Sequence, residues 1–205
     1  MRASYDLKRN SGSTDRRIGA LAARQHGVFA RAQAIRVGVT QGEIKWRLGT
    51  GRWELVFPKV YRLTGVPWTW SQHAMAACLH WGVLAVISHR AAARLRPLEG
   101  FKHARVEISV TRNRNRSRSS RVVIHWLAEQ MPREDITTID GIPVTKPART
   151  LIDLATVEPE ATIERCLDDA LRRGLVSLPF LERWLADPRR KRHRGVAVLQ
   201  RLIEA

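Results

Sequence analysis

The chain has 205 residues, 44% of them hydrophobic, with 36 lysines and arginines against 19 aspartates and glutamates, a formal net charge of +17. That length and apolar content exclude a disordered tail and leave room for one large or two small domains with real cores. The excess charge favours a polyanionic partner, most simply nucleic acid, although an arginine-rich composition also follows from codon bias.

Met1 to Ser13 is polar and basic and reads as a flexible arm (1–13). A helix is expected from Thr14, with Ile18, Leu21 and Ala22 on one face and Gly27 past its end. Val28 and Phe29 read as a short extended link, and Ala30 to Val37 as a second short helix ended by Gly38. Thr40 and Glu43 then form a capping box, and Ile44 and Leu48 mark the apolar side of a third helix. Gly49 and Gly51 stop it. Trp53, Leu55 and Phe57 alternate up to Pro58, and Val60, Tyr61 and Leu63 resume the extended pattern.

Three helices followed by a hairpin read as a winged helix-turn-helix over 14–64. The residues expected to meet DNA are Thr40, Gln41, Lys45, Arg47 and Arg52, with Lys59 and Arg62 from the hairpin. An amphipathic helix feeding a hairpin in an ordinary small domain, with a solvated basic face, would leave the same pattern.

Past a linker containing Pro67, a second region is expected over 71–205. Its first helix is capped by Ser71 and ended by Gly82. Its second is capped by Ser88, runs from His89 to Leu95 and is stopped by Pro97. Arg105 to Thr111 and Val122 to Leu127 read as two strands of a hairpin. The tip between them carries Arg112, Arg114, Arg116, Arg118 and Arg121, either a polyanion-binding loop or a solvated one. Two short extended segments flank Gly141. Helices follow from Thr145 (as cap), from Pro159 to Arg173, from Ser177 (as cap), and from Gly195 to Ile203. The fold class is therefore α+β, a winged helix-turn-helix followed by a mixed α+β domain.

No catalytic constellation is legible. Glu107 lies on a strand with no partner evident beside it, and His89, just inside a helix start, reads as structural. Asp168 and Asp169 are spaced for surface ion pairs with Arg165 and Arg172. The seven histidines show no metal-ligand spacing, so neither metal nor cofactor is expected, and a nuclease is disfavoured for want of clustered carboxylates. The cysteines, Cys78 and Cys166, sit in apolar helical patterns and imply neither a thiolate zinc site nor a disulfide framework. No apolar run follows the basic start and no stretch approaches a membrane span, so a cytoplasmic protein is expected.

Four stretches together resemble the AbiEi-type antitoxin and transcriptional regulator family of bacterial type IV toxin–antitoxin systems. They are VTQGEIKWRLGTGRWELVFPKVYRL, ISHRAAARL at Ile87 to Leu95, DITTIDGIPVTKPARTLIDLA at Asp135 to Ala155, and CLDDALRRGLVSLPFL at Cys166 to Leu181. The resemblance spans nearly all of the chain. It implies a non-enzymatic protein whose N-terminal domain binds double-stranded DNA at its own promoter. It also implies a core domain that counters a nucleotidyltransferase-like toxin without a stable complex. A stand-alone regulator with no antitoxin role would share this architecture. Looser relatives carry a further Vsr-like nuclease-fold domain, for which no room is expected before Ala205. Lys59 departs from the pattern, since relatives commonly place glycine there.

Overall fold

The computed structural model describes residues 2–82, 84–111 and 120–204, with side chains from residue 12 onward. The chain is α+β and divides into two compact units, 1–83 with 140–142 and 84–139 with 143–205. The expected boundary at 64–71 is thus displaced: helix α4 (Trp70–Trp81) belongs to the first unit. Its N-cap is Thr69, whose hydroxyl accepts from the Gln72 amide, rather than Ser71.

In the first unit α1 covers Arg2–Ala23, so the expected flexible arm is the opening of a helix. Then come β1 (Val28–Ala30), α2 (Arg31–Arg36), α3 (Gln41–Gly49), β2 (Trp53–Phe57) and β3 (Val60–Leu63). The three strands form one antiparallel sheet in the order β1-β3-β2. The core joins α1 (Ile18, Ala22), α2 (Ala34) and α3 (Ile44) to the aromatic trio Phe29, Trp53 and Tyr61 of the sheet. Phe29 and Trp53 meet edge to face at 4.7 Å, and Trp53 stacks with Tyr61 at 5.9 Å. Each such buried aromatic contributes about 1.5–3 kcal/mol by area alone, which fixes α3 against the sheet. The expected alternation in β2 breaks. A register shift between Leu55 and Phe57 buries Val56 and Phe57 together and leaves Leu55 61% exposed.

The second unit holds a five-stranded sheet in the order β6-β5-β4-β8-β7, from β4 (Val86–Ile87), β5 (Val106–Thr111), β6 (Val122–Leu127), β7 (Ile136–Ile139) and β8 (Ile142–Thr145). Strands β5 and β6 are parallel, with Val106 opposite Val122 and Thr111 opposite Leu127. The expected arginine-tipped hairpin is therefore not formed. The chain leaves β5 at one end of the pair and enters β6 at the other. Arg112, Arg114, Arg116 and Arg118 lie outside the described residues, and Arg121 is exposed.

Helices α5 (His89–Leu95), α6 (Pro147–Leu154), α7 (Glu160–Arg172), α8 (Leu178–Leu185) and α9 (Arg194–Glu204) enclose the apolar core, including Leu151, Ile163, Cys166, Leu181 and Leu199. Gly195 lets α9 approach α6: a Cβ there would stand 1.9 Å from the Ile152 carbonyl oxygen. The expected Thr145 cap of α6 is also replaced. Lys146 is the N-cap, and the Thr145 hydroxyl pairs with that of Thr150 at 2.8 Å. Among the described residues no helix is long and apolar enough to cross a membrane.

Candidate nucleic-acid interface

Helix α3 is set by its own first turn. The Glu43 amide donates to the Thr40 hydroxyl at 3.2 Å, and the Thr40 amide donates to the Glu43 carboxylate at 2.8 Å. The bond from the Thr40 backbone, aided by the Thr40 hydroxyl and Arg47, holds the Glu43 carboxyl below its usual pKa. The expected capping box is present, and it commits the Thr40 side chain to the helix end.

Arg47 does not face solvent. Its side chain is 2% exposed; its Nε and one terminal nitrogen donate to Asp15 of α1 at 3.1 and 2.7 Å, and its guanidinium lies 5.2 Å from the Trp53 ring centre. It ties α3 to α1 and is withdrawn from the DNA-facing set. The physical reason is angular: at about 100° per residue, position 47 lies only about 60° from Ile44 on the helix circumference, on the inward side. Arg62 is withdrawn as well. It is buried in β3, donates to Glu54 on β2 and to the Val66 carbonyl, each at 2.7 Å, and stacks 4.2 Å from Trp68.

What remains outward on α3 and the adjoining loops is Gln41, Lys45 and Arg52, with the Thr40 cap at one end and Lys59 on the β2–β3 turn, all exposed. Lys45 and Lys59 make no ion pair among the described residues. Trp46, absent from the sequence-based set, is 52% exposed on the same helix, and the Arg52 guanidinium sits 4.7 Å from its ring centre. Its one-residue offset from Lys45 was the available signal. Gly42 and Gly49 complete this face, and a Cβ at either would meet no atom within 4 Å. They lie in the first and last turns of α3, where glycine costs less than the about 1 kcal/mol of a helix interior, and neither is required by packing within the unit. The result is a low-relief helix face, basic and aromatic, over which an external backbone could come close.

A second constellation lies in the second unit, where no site was expected. The parallel register sets His125 of β6 opposite Ser109 and Glu107 two residues earlier on the same face of β5. His125 Nε2 is 2.9 Å from Glu107 Oε2, and the His125 ring stacks on that of His89 at 3.4 Å with an 11° interplanar angle. His89 Nδ1 is 2.9 Å from the Ser88 hydroxyl, which accepts from the Ser109 hydroxyl at 2.8 Å. Burial pushes the His89 imidazole down to about 4, against the opposing pull of Asp153. His125 and the Arg90 guanidinium outweigh the burial of Glu107 and lower its carboxyl. Glu107 therefore does have partners. They were invisible in the sequence because they arrive from two other elements, α5 and β6.

Asp168 is exposed; Asp169 is largely buried and pairs with Arg172 at 2.6 Å and Arg173 at 3.1 Å. Cys78 and Cys166 are both buried.

No protein-family model matches the chain, and no curated protein matches it. Among solved structures, the crystal structure of the Rv2827c protein from Mycobacterium tuberculosis is similar, with a TM-score of 0.55 and 15% sequence identity over 93% of this chain and 76% of that one. The likeness shows that the α+β arrangement is shared with a known structure.

Proposed function

We propose that the first unit is a winged helix-turn-helix that binds double-stranded DNA, with α3 entering the major groove and the β2–β3 turn at the flanking backbone. The observation that carries this reading is the outward face of α3. Lys45 and Arg52 stand there beside Gln41 and Trp46, on a helix kept flat by Gly42 and Gly49, while the inward cations are already paired. Gln41 offers the amide that reads adenine edges, and Lys45 and Lys59 offer phosphate contacts. A net charge of +17 supplies the sequence-independent attraction.

The resemblance of four motifs to AbiEi-type regulators supports placing the target in the protein's own promoter. It also supports an antitoxin role for the second unit, exerted on a nucleotidyltransferase-like toxin without a stable complex. Neither role requires the chain to be an enzyme. A gel shift compares duplex from the upstream region of its own gene with random duplex of equal length. Tighter binding of the upstream duplex at moderate salt is expected. Equal affinity for the two would remove sequence-specific regulation.

A further inference from the structure

We propose that His89, Glu107 and His125 in the second unit bind one divalent transition-metal ion through two imidazole nitrogens and one carboxylate. The inference does not depend on DNA binding by the first unit. Two neutral imidazoles with one carboxylate form a donor set suited to zinc and the neighbouring late first-row ions, whereas magnesium and calcium take shells of oxygen.

The spacing fits that chemistry. The ligating atoms of the three residues all lie within 4.8 Å of one another. Two bonds of about 2.1 Å meeting at a right angle span about 3 Å. The 2.9 Å between His125 Nε2 and Glu107 Oε2 already has that length. Tetrahedral bonds of the same length span about 3.4 Å, so binding closes the widest donor pair by up to about 1.4 Å and turns the His89 and His125 rings out of their stack, so that both lone pairs meet at one centre.

The surroundings are those of a supported site. The Ser88 hydroxyl engages His89 Nδ1 and is held in turn by Ser109, which leaves the other ring nitrogen as the one offered to an ion. Glu107 is 2% exposed, and the Arg90 guanidinium stands 3.4 Å away. That guanidinium is drawn elsewhere, onto the Glu158 carboxylate and the Val157 carbonyl. A dication would complete the compensation of the buried carboxylate. His89 also holds a left-handed backbone, φ +52°, at the first position of α5. That conformation is strained for a non-glycine residue. Glycine would relieve it, and an imidazole stands there instead. His125 is partly exposed, so an ion can enter from its side.

The test uses the full, untagged chain, stripped with a chelator and titrated with zinc and, separately, with magnesium by isothermal calorimetry. Saturable binding of one zinc ion and no response to magnesium are expected. His125→Asn, chosen because the ring is partly in solvent, and Glu107→Gln should each weaken zinc binding at least about 100-fold, beyond the 10–100-fold that loss of an outer-shell partner brings. His103→Ala, an exposed histidine outside the cluster, should bind as wild type. Cobalt added in place of zinc should give visible d–d absorption that is lost in His125→Asn. Absence of saturable zinc binding, or wild-type affinity in both cluster variants, overturns the proposal. Circular dichroism identifies a variant that fails to fold, and the cobalt spectrum of the other variant then decides.

Discussion

The two units bury their charge pairs to different depths. In the first, the inward arginines are neutralised by carboxylates, Arg47 by Asp15 and Arg62 by Glu54, and the remaining lysines and arginines around α3 stand in solvent. In the second, charge goes to the interior. Asp153 is buried between Arg149 at 2.9 Å and His193 at 3.1 Å, and Asp135 is buried against Arg190 at 2.6 Å. A paired surface guanidinium contributes little and a buried pair is costly to break. The first unit therefore leaves its outward cations in solvent, and the second uses its buried charges to hold α6 and the sheet in one arrangement. An overall charge excess cannot distinguish these uses; the neighbours of each side chain do.

The largest effect expected from breaking that contrast is at Asp153. Asp153→Asn leaves the buried Arg149 guanidinium with only the more distant Asp135 carboxylate, 3.8 Å away, and should destabilise the second unit by about 3 kcal/mol, read as a lower urea midpoint at unchanged slope. Burial pushes the Asp153 carboxyl up, but the His193 hydrogen bond and the Arg149 charge outweigh it, so its folded pKa is depressed. A depressed carboxyl contributes stability that is present above its unfolded value of about 4 and is lost as pH falls through the folded one. The wild-type advantage over Asp153→Asn should therefore shrink only below about pH 4.

Next comes Arg47. Arg47→Ala removes the tie to Asp15 and the packing over Trp53 and should cost about 2–3 kcal/mol, discounted because Asp15 is half exposed. Arg47→Met, which keeps most of the volume, should recover part of this in a thermal melt and leave DNA affinity unchanged. A folded Arg47→Met protein that loses DNA binding would return Arg47 to the interface.

How much of this was legible follows from how far each feature reaches along the chain. The α3 capping box, the glycine stops and the strand limits at Thr111 and Val122 are set by neighbours a few residues away, and the sequence shows them. The inward turn of Arg47 was also legible, since three positions after Ile44 is the same side of a helix. Its partner Asp15 was not, because it lies 32 residues away. The parallel pairing of β5 with β6 is a sheet-level fact, and the nearest-neighbour expectation was a hairpin. Everything that depends on that register, including the meeting of Glu107 with His125 and His89, stayed hidden with it. Local bulges hide in the same way: the alternation of Trp53, Leu55 and Phe57 looked regular, and only the register with β3 shows the slip.

A moderate effect is expected on the α3 face. Lys45→Ala and Arg52→Ala should leave the melting temperature within a degree or two, because neither side chain is buried or ion-paired within the described residues. If each meets one phosphate, each should lower the slope of log affinity against log salt by about 0.9. Trp46→Ala should weaken binding with no change of salt slope, since an aromatic contact releases no counterion. Salt titrations of all three variants on one duplex separate these outcomes. Unaltered slopes for Lys45→Ala and Arg52→Ala would move the interface off α3.

The smallest effect is at Lys59, where the resemblance leads one to expect glycine. Lys59 adopts a left-handed backbone, φ +65°, between Pro58 and Val60, and its carbonyl accepts from the Arg31 amide at 2.7 Å. Lysine there carries about 1–2 kcal/mol of backbone strain that glycine would relieve. Glycine also loses more conformational freedom on folding, which returns about 0.4–1 kcal/mol to the unfolded chain. The difference leaves Lys59→Gly stabilising by about 0–1.6 kcal/mol. The same substitution removes an exposed charge from the β2–β3 turn. If that turn lies along the DNA backbone, the salt slope should fall by about 0.9 while the fold gains slightly. A stability gain with an unchanged slope would place the turn away from the nucleic acid and leave α3 as the whole of the contact. The lysine would then be a strained residue with no role in binding.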